Sequence, residues 1–555
     1  MSFLALVLRQ MQTSPRKLVT MAAIGGISSA AILAAINSGA QAADEGRGAS
    51  LWALALFVIS LLLFMKTQVY MTTTITGEIE AVIHRLRMRL MDRIRHSELL
   101  ALERIGRARI VEGLTRDTAI LGQASNTLCY SLQAPILIFF VAIYVAYLSF
   151  SAFILSALIL TLAGTIFHFR SRSLTRERAA AAAQERRLLE RLTDFLDGFK
   201  EVRLNAARSV DLYEDASEIS KAAAAIKIRT QAETFKQIAS AQSYMYVLLA
   251  AVVFVIPTIG GPLAGESIIK TTTALLFVVG ACFGVVQSIP VLLNANAAAD
   301  RLQRLEAELV PAGSAQPAEV AAPPFERIDM RNVVFRYTDK FSHGAFQIGP
   351  LDFSLRRGEL VFITGGNGSG KSTLLRVLAG LYPPDAGEIT VDGVPVNDDT
   401  RDAYRALMSA IFSDYHLFEK LYGLHMADGG EVYRLLRQFE LDDKTRVADG
   451  EFSTLDLSGG QRRRLAFVVS LLEHRPVLLL DEWTAEQDPE FRRKFYQELL
   501  PQLMQAGATI VAITHDDRYL AQLDLPARRI RMDEGRLVEQ HPVDREERSV
   551  EISNG

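Results

Sequence analysis

Gly365-Gly366-Asn367-Gly368-Ser369-Gly370-Lys371-Ser372-Thr373 places four glycines ahead of a lysine and two hydroxyl residues. Glycines at this density let backbone amides turn into one concavity, which suits phosphate oxygens. Lys371 is placed to reach terminal phosphates, and the Ser372 hydroxyl to ligate magnesium. Further on, Val477-Leu478-Leu479-Leu480 runs into two acids, Asp481 and Glu482. Asp481 would hold the magnesium, directly or through water. Glu482 falls on the other side of the strand's end and can polarise an attacking water as general base. A strand that merely ends in solvated acids is the plainer reading of that pair alone; a phosphate loop upstream reverses the preference.

These residues need particular elements to hold them. Val361-Phe362-Ile363-Thr364 reads as a buried strand feeding the glycine loop, and Leu374 to Leu381 as a helix behind it. The N-terminus of that helix adds partial positive charge at the phosphates. A third stretch, Leu457-Ser458-Gly459-Gly460-Gln461, sets a hydroxyl and two glycines at an expected helix start. That is a second anion site, and Gln461 stands 20 positions before Asp481.

In this order and spacing, the three stretches resemble the ATP-binding-cassette proteins. The resemblance implies an α/β P-loop ATPase taking ATP and Mg2+, with Leu457 to Gln461 meeting the ATP held by the opposite subunit. It matches Tyr337, in Val333-Val334-Phe335-Arg336-Tyr337, to an adenine-stacking aromatic, although a plain strand aromatic fits the sequence too. It matches His515, after the strand Thr509 to Thr514, to a histidine at the terminal phosphate. Gln487-Asp488 falls in the dimer-contact loop, where Glu486 and Gln487 replace the usual small residue and leucine. One position departs further. The family's glutamine at the magnesium, facing the membrane domain, is replaced by Ser413 in Ala410-Ile411-Phe412-Ser413-Asp414. Serine is too short for the same reach, so either Asp414 or a water takes the place.

The first half of the chain is of another kind. Mean hydropathy is +0.16, high for a soluble chain of 555 residues with 22% charged. Uncharged apolar runs account for it. A span needs about 20 apolar residues to cross roughly 30 Å of hydrocarbon. Leu18 to Ile36, Ala49 to Met65, the double-length Leu128 to Phe169 with a turn at Ser149-Phe150-Ser151, Ala241 to Gly261 and Thr271 to Leu293 make six spans. Arginines crowd the segments between spans two and three and between spans four and five, placing these segments and both termini in the cytoplasm. Both segments read as helices that continue the spans and fold back through a cross-piece, placed at Leu102 to Thr115 and Val202 to Tyr213. Ala40-Gln41-Ala42 also fits a signal-peptide cleavage site, which would leave five spans; retention is the preferred reading. Asp300 to Leu309 reads as a short charged helix.

The domain reading is therefore a membrane all-α six-helix exporter-type domain (1–310), a linker (311–324), an ATP-binding-cassette domain (325–545) and a tail (546–555). A net charge of −3 gives no footprint for nucleic acid. Cys129 and Cys282 lie in apolar runs and read as small buried hydrophobes. The lack of the glutamine, Trp483 after Glu482 and the compact length resemble the bacterial cyclic-peptide exporters. That resemblance implies a homodimer in the bacterial inner membrane exporting an amphipathic peptide-type compound, a cyclic peptide or siderophore precursor. A siderophore importer of the same shape and an ATP-gated channel or regulator are the alternatives. Lys66, Gln133, His168, Gln287 and Asn294 are polar positions in the spans suited to a cavity, or to interhelical hydrogen bonds.

Overall fold

The computed structural model describes residues 3–44, 50–255, 258, 265–309, 322–337, 346–424 and 428–539. The expected linker falls outside this set up to residue 321, as does the expected tail, and the His168 side chain is also outside it. The chain forms two compact units, Met1–Met91 with Ala108–Ala307, and Asp92–Arg107 with Glu308–Gly555.

The first unit is helical. Ahead of the spans lies α1 (Phe3–Gln10), and α2 (Pro15–Asp44) and α3 (Leu51–Arg95) follow. The α4 helix (Leu99–Ile105) belongs to the second unit. Then come α5 (Arg107–Glu112), a π turn (Gly113–Asp117), α6 (Thr118–Leu148), α7 (Phe150–Asp197), α8 (Phe199–Leu204), α9 (Ala206–Ala250) with a second π turn (Ala251–Val255) at its end, and α10 (Gly265–Glu308). Among the described residues, six stretches are long and apolar enough to cross a membrane, as expected. Helix-on-helix packing uses small residues. A methyl on Gly25 would lie 3.2 Å from Thr67 Oγ1 and one on Gly26 3.1 Å from Phe140, so α2 approaches α3 and α6 closely. Leu33, Val141, Val145, Leu248 and Val278 join one buried cluster.

The double-length apolar run does break where the serine predicts. Ser149 is the one extended residue between α6 and α7, and its hydroxyl accepts the Ala152 N–H. Elsewhere the structure moves the expectations. The cross-pieces are α4 and α8, each beginning three residues earlier than Leu102 and Val202, and they end at Ile105 and Leu204 rather than at Thr115 and Tyr213. Gly106, at φ +85, ends α4, a conformation that favours glycine. Ala40 to Ala42 lie inside the continuous α2, and Asp300 onward extends α10 without a break to Glu308. At the first π turn, buried Asp117 accepts from both Nε and Nη2 of Arg301 at 3.1 and 2.5 Å.

The second unit carries two larger sheets and a two-stranded hairpin of β7 (Val447–Ala448) and β8 (Glu451–Phe452). One is ordered β12-β11-β3-β10-β9-β6, where β3 (Leu360–Thr364), β10 (Thr509–Ile513), β9 (Val477–Asp481), β6 (Met408–Ile411) and β11 (Arg528–Asp533) run parallel. Its central strands β9 and β10 are buried along their whole length, as a parallel sheet covered on both faces requires. The hairpin partner β12 (Arg536–Glu539) closes one edge. The other sheet is antiparallel, β2-β1-β4-β5, and contains β1 (Arg327–Tyr337), β2 (Phe346–Arg356), β4 (Ala386–Val391) and β5 (Val394–Pro395). Parallel strands ending together gather their C-terminal loops on one edge, where sites of such folds form.

Candidate nucleotide site

The glycine loop follows β3 and opens the Lys371–Leu378 helix, the context its sequence calls for. Gly370 caps that helix at φ +100, and a methyl there would meet Ile348 at 2.6 Å. By contrast, Gly366 and Gly368 have nothing within 4 Å of an added methyl, so the loop's open face is free for a ligand to approach the backbone. Buried Lys371 arches back over the loop, donating to the Gly365 and Gly366 carbonyls at 2.9 and 2.8 Å. Asn367 and Ser369 lie within the loop, and Ser369 Oγ is buried without a hydrogen-bond partner.

Ser372 and Asp481 come from positions 109 apart and meet, the Ser372 hydroxyl donating to Asp481 Oδ1 at 3.1 Å. The other oxygen, Asp481 Oδ2, is buried and unpartnered. Burial pushes the Asp481 carboxyl above its ordinary value, against the pull of the Ser372 hydroxyl. A buried acid oxygen left open beside a serine hydroxyl fits a hard divalent cation, whose oxygen preference and charge suit both groups. Thr373 follows on the same helix.

Glu482 takes φ +49 just past β9, with its N–H on the Ile513 carbonyl. For a residue other than glycine this backbone is strained. His515 Nε2 lies 3.2 Å from Glu482 Oε1, so the two residues named for catalysis are neighbours. The histidine's own position depends on the next residue. Asp516 accepts from Thr484 Oγ1 at 2.7 Å, Tyr496 OH at 3.2 Å and Arg492 at 3.2 Å. Nothing in the local sequence singled out Asp516, because its partners are scattered over other elements.

Ser458 caps the Gly459–Leu472 helix in a reciprocal box with Gln461, in which each side chain accepts the other's backbone N–H. Leu457 packs at the edge of a buried cluster. Gly460 lies against the backbone of the 484–488 loop, where Gln487 Nε2 donates to its carbonyl at 3.1 Å. Glu486 Oε2 stands 2.8 Å from where a Gly459 methyl would be, and Glu486 Oε1 pairs with Arg463 at 3.2 Å. An acid thus lies over the start of the helix expected to serve as a second anion site. Arg463 and Arg464 also escaped the sequence reading. Arg463 donates to the Glu482 carbonyl at 2.5 Å, and Arg464 binds Gln487 and Glu440. Tyr337 is half-exposed at the end of β1. Ser413 sits near Asp481, and Asp414 pairs with Arg376 at 3.4 Å.

Comparison with known proteins agrees with this arrangement. Residues 348–485 match the model of the ABC transporter family. The ATP-binding protein SyrD of Pseudomonas syringae pv. syringae is 31% identical over 90% of both chains. An ATP-dependent lipid A-core flippase of Paraburkholderia xenovorans is 25% identical over 90% of this chain and 84% of its own. The fold matches a bacterial Atm1-family ABC exporter with ATP bound, at TM-score 0.75 and 20% identity, over 94% of each chain. With six membrane-crossing stretches and a P-loop site fitted to ATP and magnesium, the chain belongs to the ABC transporter family: a multi-pass membrane protein whose cytoplasmic ATPase is coupled to transport.

Proposed function

We propose that two copies of this chain form an exporter in the bacterial inner membrane and carry out an amphipathic peptide-type compound, a cyclic peptide or a siderophore precursor. The observation that carries the dimer is α8. Its Phe199 and Leu204 are 53% and 89% exposed, whereas Leu99 and Leu100 of α4 pack on the core of the second unit. Apolar side chains at a cytosolic turn need a cover, and a second copy supplies it. The same dimer would bring the Ser458-Gly459-Gly460 helix start of one chain to the nucleotide held by Gly365 to Thr373 of the other.

In each site Lys371 and the loop amides hold the phosphates, Ser372 and Asp481 hold magnesium, and Tyr337 stacks on adenine. Bound magnesium neutralises charge on the terminal phosphates. Glu482 accepts a proton from the attacking water as it orients it, and His515 steadies the carboxylate and the terminal phosphate. The likeness to an ATP-dependent lipid A-core flippase over 90% of this chain favours an amphipathic cargo. Uncharged polar side chains favour it too. Gln287 and Asn294 are exposed two turns apart on α10, and Asn37 reaches the Tyr144 hydroxyl at 3.2 Å. Such groups suit a bulky ligand of mixed polarity better than a bare ion, whose path carries charge.

Inside-out vesicles holding the purified protein test the reading. A cyclic lipopeptide accumulates in the lumen with ATP and magnesium, and raises ATP turnover. Depletion of the lumen in the same conditions overturns export. Stimulation by lipids alone, with no peptide active, overturns the cargo class.

A further inference from the structure

Tyr382 is fully buried, yet its hydroxyl reaches out of the cassette core. It donates to the Glu103 carboxylate of α4 at 2.8 Å. Arg376 Nη1 lies 3.5 Å from the same hydroxyl. Arg376 is four residues past Ser372, one turn along the helix that starts at the phosphate loop. Its guanidinium also lies 5.9 Å from the Phe412 ring centre and 3.4 Å from Asp414. The Tyr382 ring stacks on Phe335 of β1 at 4.9 Å and stands 6.5 Å from Tyr337. Three parts of the nucleotide site therefore converge on one side chain: the phosphate helix, the adenine-side strand and the segment around Ser413. The far end of that side chain touches a helix whose chain continues at both ends into membrane-crossing stretches.

Glu98 makes a second contact. It pairs with Arg401 at 3.0 Å and Arg405 at 2.9 Å, and Arg405 also donates to the Gly380 carbonyl, two residues past the phosphate helix, at 2.8 Å. That pair of bridges holds α4 without using the Tyr382 hydroxyl. Burial and the Glu103 carboxylate push the Tyr382 phenol far above its ordinary value, so it stays a donor.

We propose that Tyr382 is a positioning residue that transmits the state of the nucleotide site to α4: nucleotide binding shifts the phosphate helix and Arg376, and Tyr382 carries that shift to Glu103. The linkage runs through the phosphate helix itself and needs no side chain longer than serine at position 413. A two-state element moves only as far as the bound state binds it better, and a hydrogen bond to a charged acceptor is large enough to bias it.

Hydrogen–deuterium exchange on the full-length protein in detergent tests this, with and without a non-hydrolysable ATP analogue and magnesium. In wild type the analogue slows exchange both at residues 365–378 and at 93–107. In Tyr382→Phe, which keeps the ring and its packing, slowing at 365–378 persists and the KM for ATP is unchanged. The nucleotide-dependent slowing at 93–107 disappears, leaving exchange there roughly tenfold faster than wild type with analogue bound. Glu103→Gln keeps an acceptor and retains the slowing; Glu103→Ala behaves as Tyr382→Phe. Wild-type slowing at 93–107 in Tyr382→Phe overturns the proposal. So does faster exchange there by the same factor with and without analogue, which marks Tyr382 as glue. Neither readout depends on cargo or direction of transport.

Discussion

Gly459 and Gly460 are adjacent and chemically identical, and the structure separates them. A methyl on Gly460 would lie 2.8 Å from the Glu486 carbonyl oxygen. That oxygen has little room to retreat. The loop around it is tied by Ala485 N–H to the Glu482 carbonyl at 3.1 Å, by Thr484 to Asp516 at 2.7 Å and by Asp488 to the Phe491 N–H at 2.8 Å. Forcing a methyl into such a contact costs about 1–3 kcal/mol. On Gly459 the methyl also meets an atom at 2.8 Å, but this is Glu486 Oε2, the end of a half-exposed side chain. It can swing aside at the loss of its pair with Arg463, whose guanidinium is 9% exposed and keeps the Glu482 carbonyl, about 1 kcal/mol. Exchanging glycine for alanine in a helix returns up to about 1 kcal/mol at either position. Gly459→Ala is therefore near neutral, and Gly460→Ala loses up to about 2 kcal/mol. For a domain of this size each kcal/mol is worth about 2–4 °C, so Gly460→Ala melts up to about 8 °C lower. Thermal scans of the full-length variants at one fixed rate measure it, the fixed rate being needed where unfolding is irreversible. The reasoning fails if the two variants melt together or if Gly459→Ala is the weaker.

Three further outcomes follow from the same geometry. Glu482→Gln lowers kcat for ATP by about 10²–10⁴-fold with KM little changed, whereas Lys371→Ala raises KM; steady-state ATPase assays separate the two, and wild-type turnover in Glu482→Gln would assign the base elsewhere, His515 first. Of the Asp117–Arg301 pair, Asp117 is 5% exposed and Arg301 49%. Arg301→Ala strands a buried carboxylate at a cost of about 3–5 kcal/mol, while Asp117→Asn leaves a cation already half in water and costs about 1–2 kcal/mol; equal losses in denaturation would contradict the burial argument. Burial raises the Glu473 carboxyl above its ordinary 4.5. Its folded state therefore favours the proton, so stability is full below the unfolded value and lost as pH rises through the folded one. Glu473→Gln removes that loss and melts higher than wild type at neutral pH, a gap that closes below about pH 4.5; a gap independent of pH would refute it.

The nucleotide site was legible because its chemistry is written in contiguous residues. Gly365 to Thr373 fixes a loop between a strand and a helix by local geometry alone, and Asp481-Glu482 ends a strand whose burial shows in its own apolar run. The spans were legible for the same reason, since every residue of a helix in lipid announces its surroundings. What escaped depends on distant partners. Tyr382 and Glu103 are 279 positions apart, and Glu98 and Arg401 303; no periodicity joins them. The expected cross-piece Leu102 to Thr115 starts three residues late and runs ten residues past the end of α4, because the long helical segment offers uniform propensity and the stop at Gly106 is a single residue within it. The break expected before Asp300 does not form, because charge appears there without a glycine or proline to stop the helix.

Trp483 gives the molecule an optical readout of its own chemistry. The chain has two tryptophans. Trp52 is 85% exposed at the start of α3, while Trp483 is 2% exposed. Trp483 follows Glu482 directly, stands 4.7 Å from the Phe467 ring and 4.5 Å from the Phe495 ring, and donates its indole N–H to the Arg463 carbonyl at 3.2 Å. Arg463 belongs to the helix that Ser458 caps. With Trp52 replaced by phenylalanine, the remaining tryptophan emission comes from an indole lodged between Glu482 and that helix. Any displacement of one against the other alters its hydrogen bond and its aromatic cage, and so its wavelength and lifetime. The protein carries a native fluorophore at the joint where each half-site would close, and turnover can be followed there without attaching a dye.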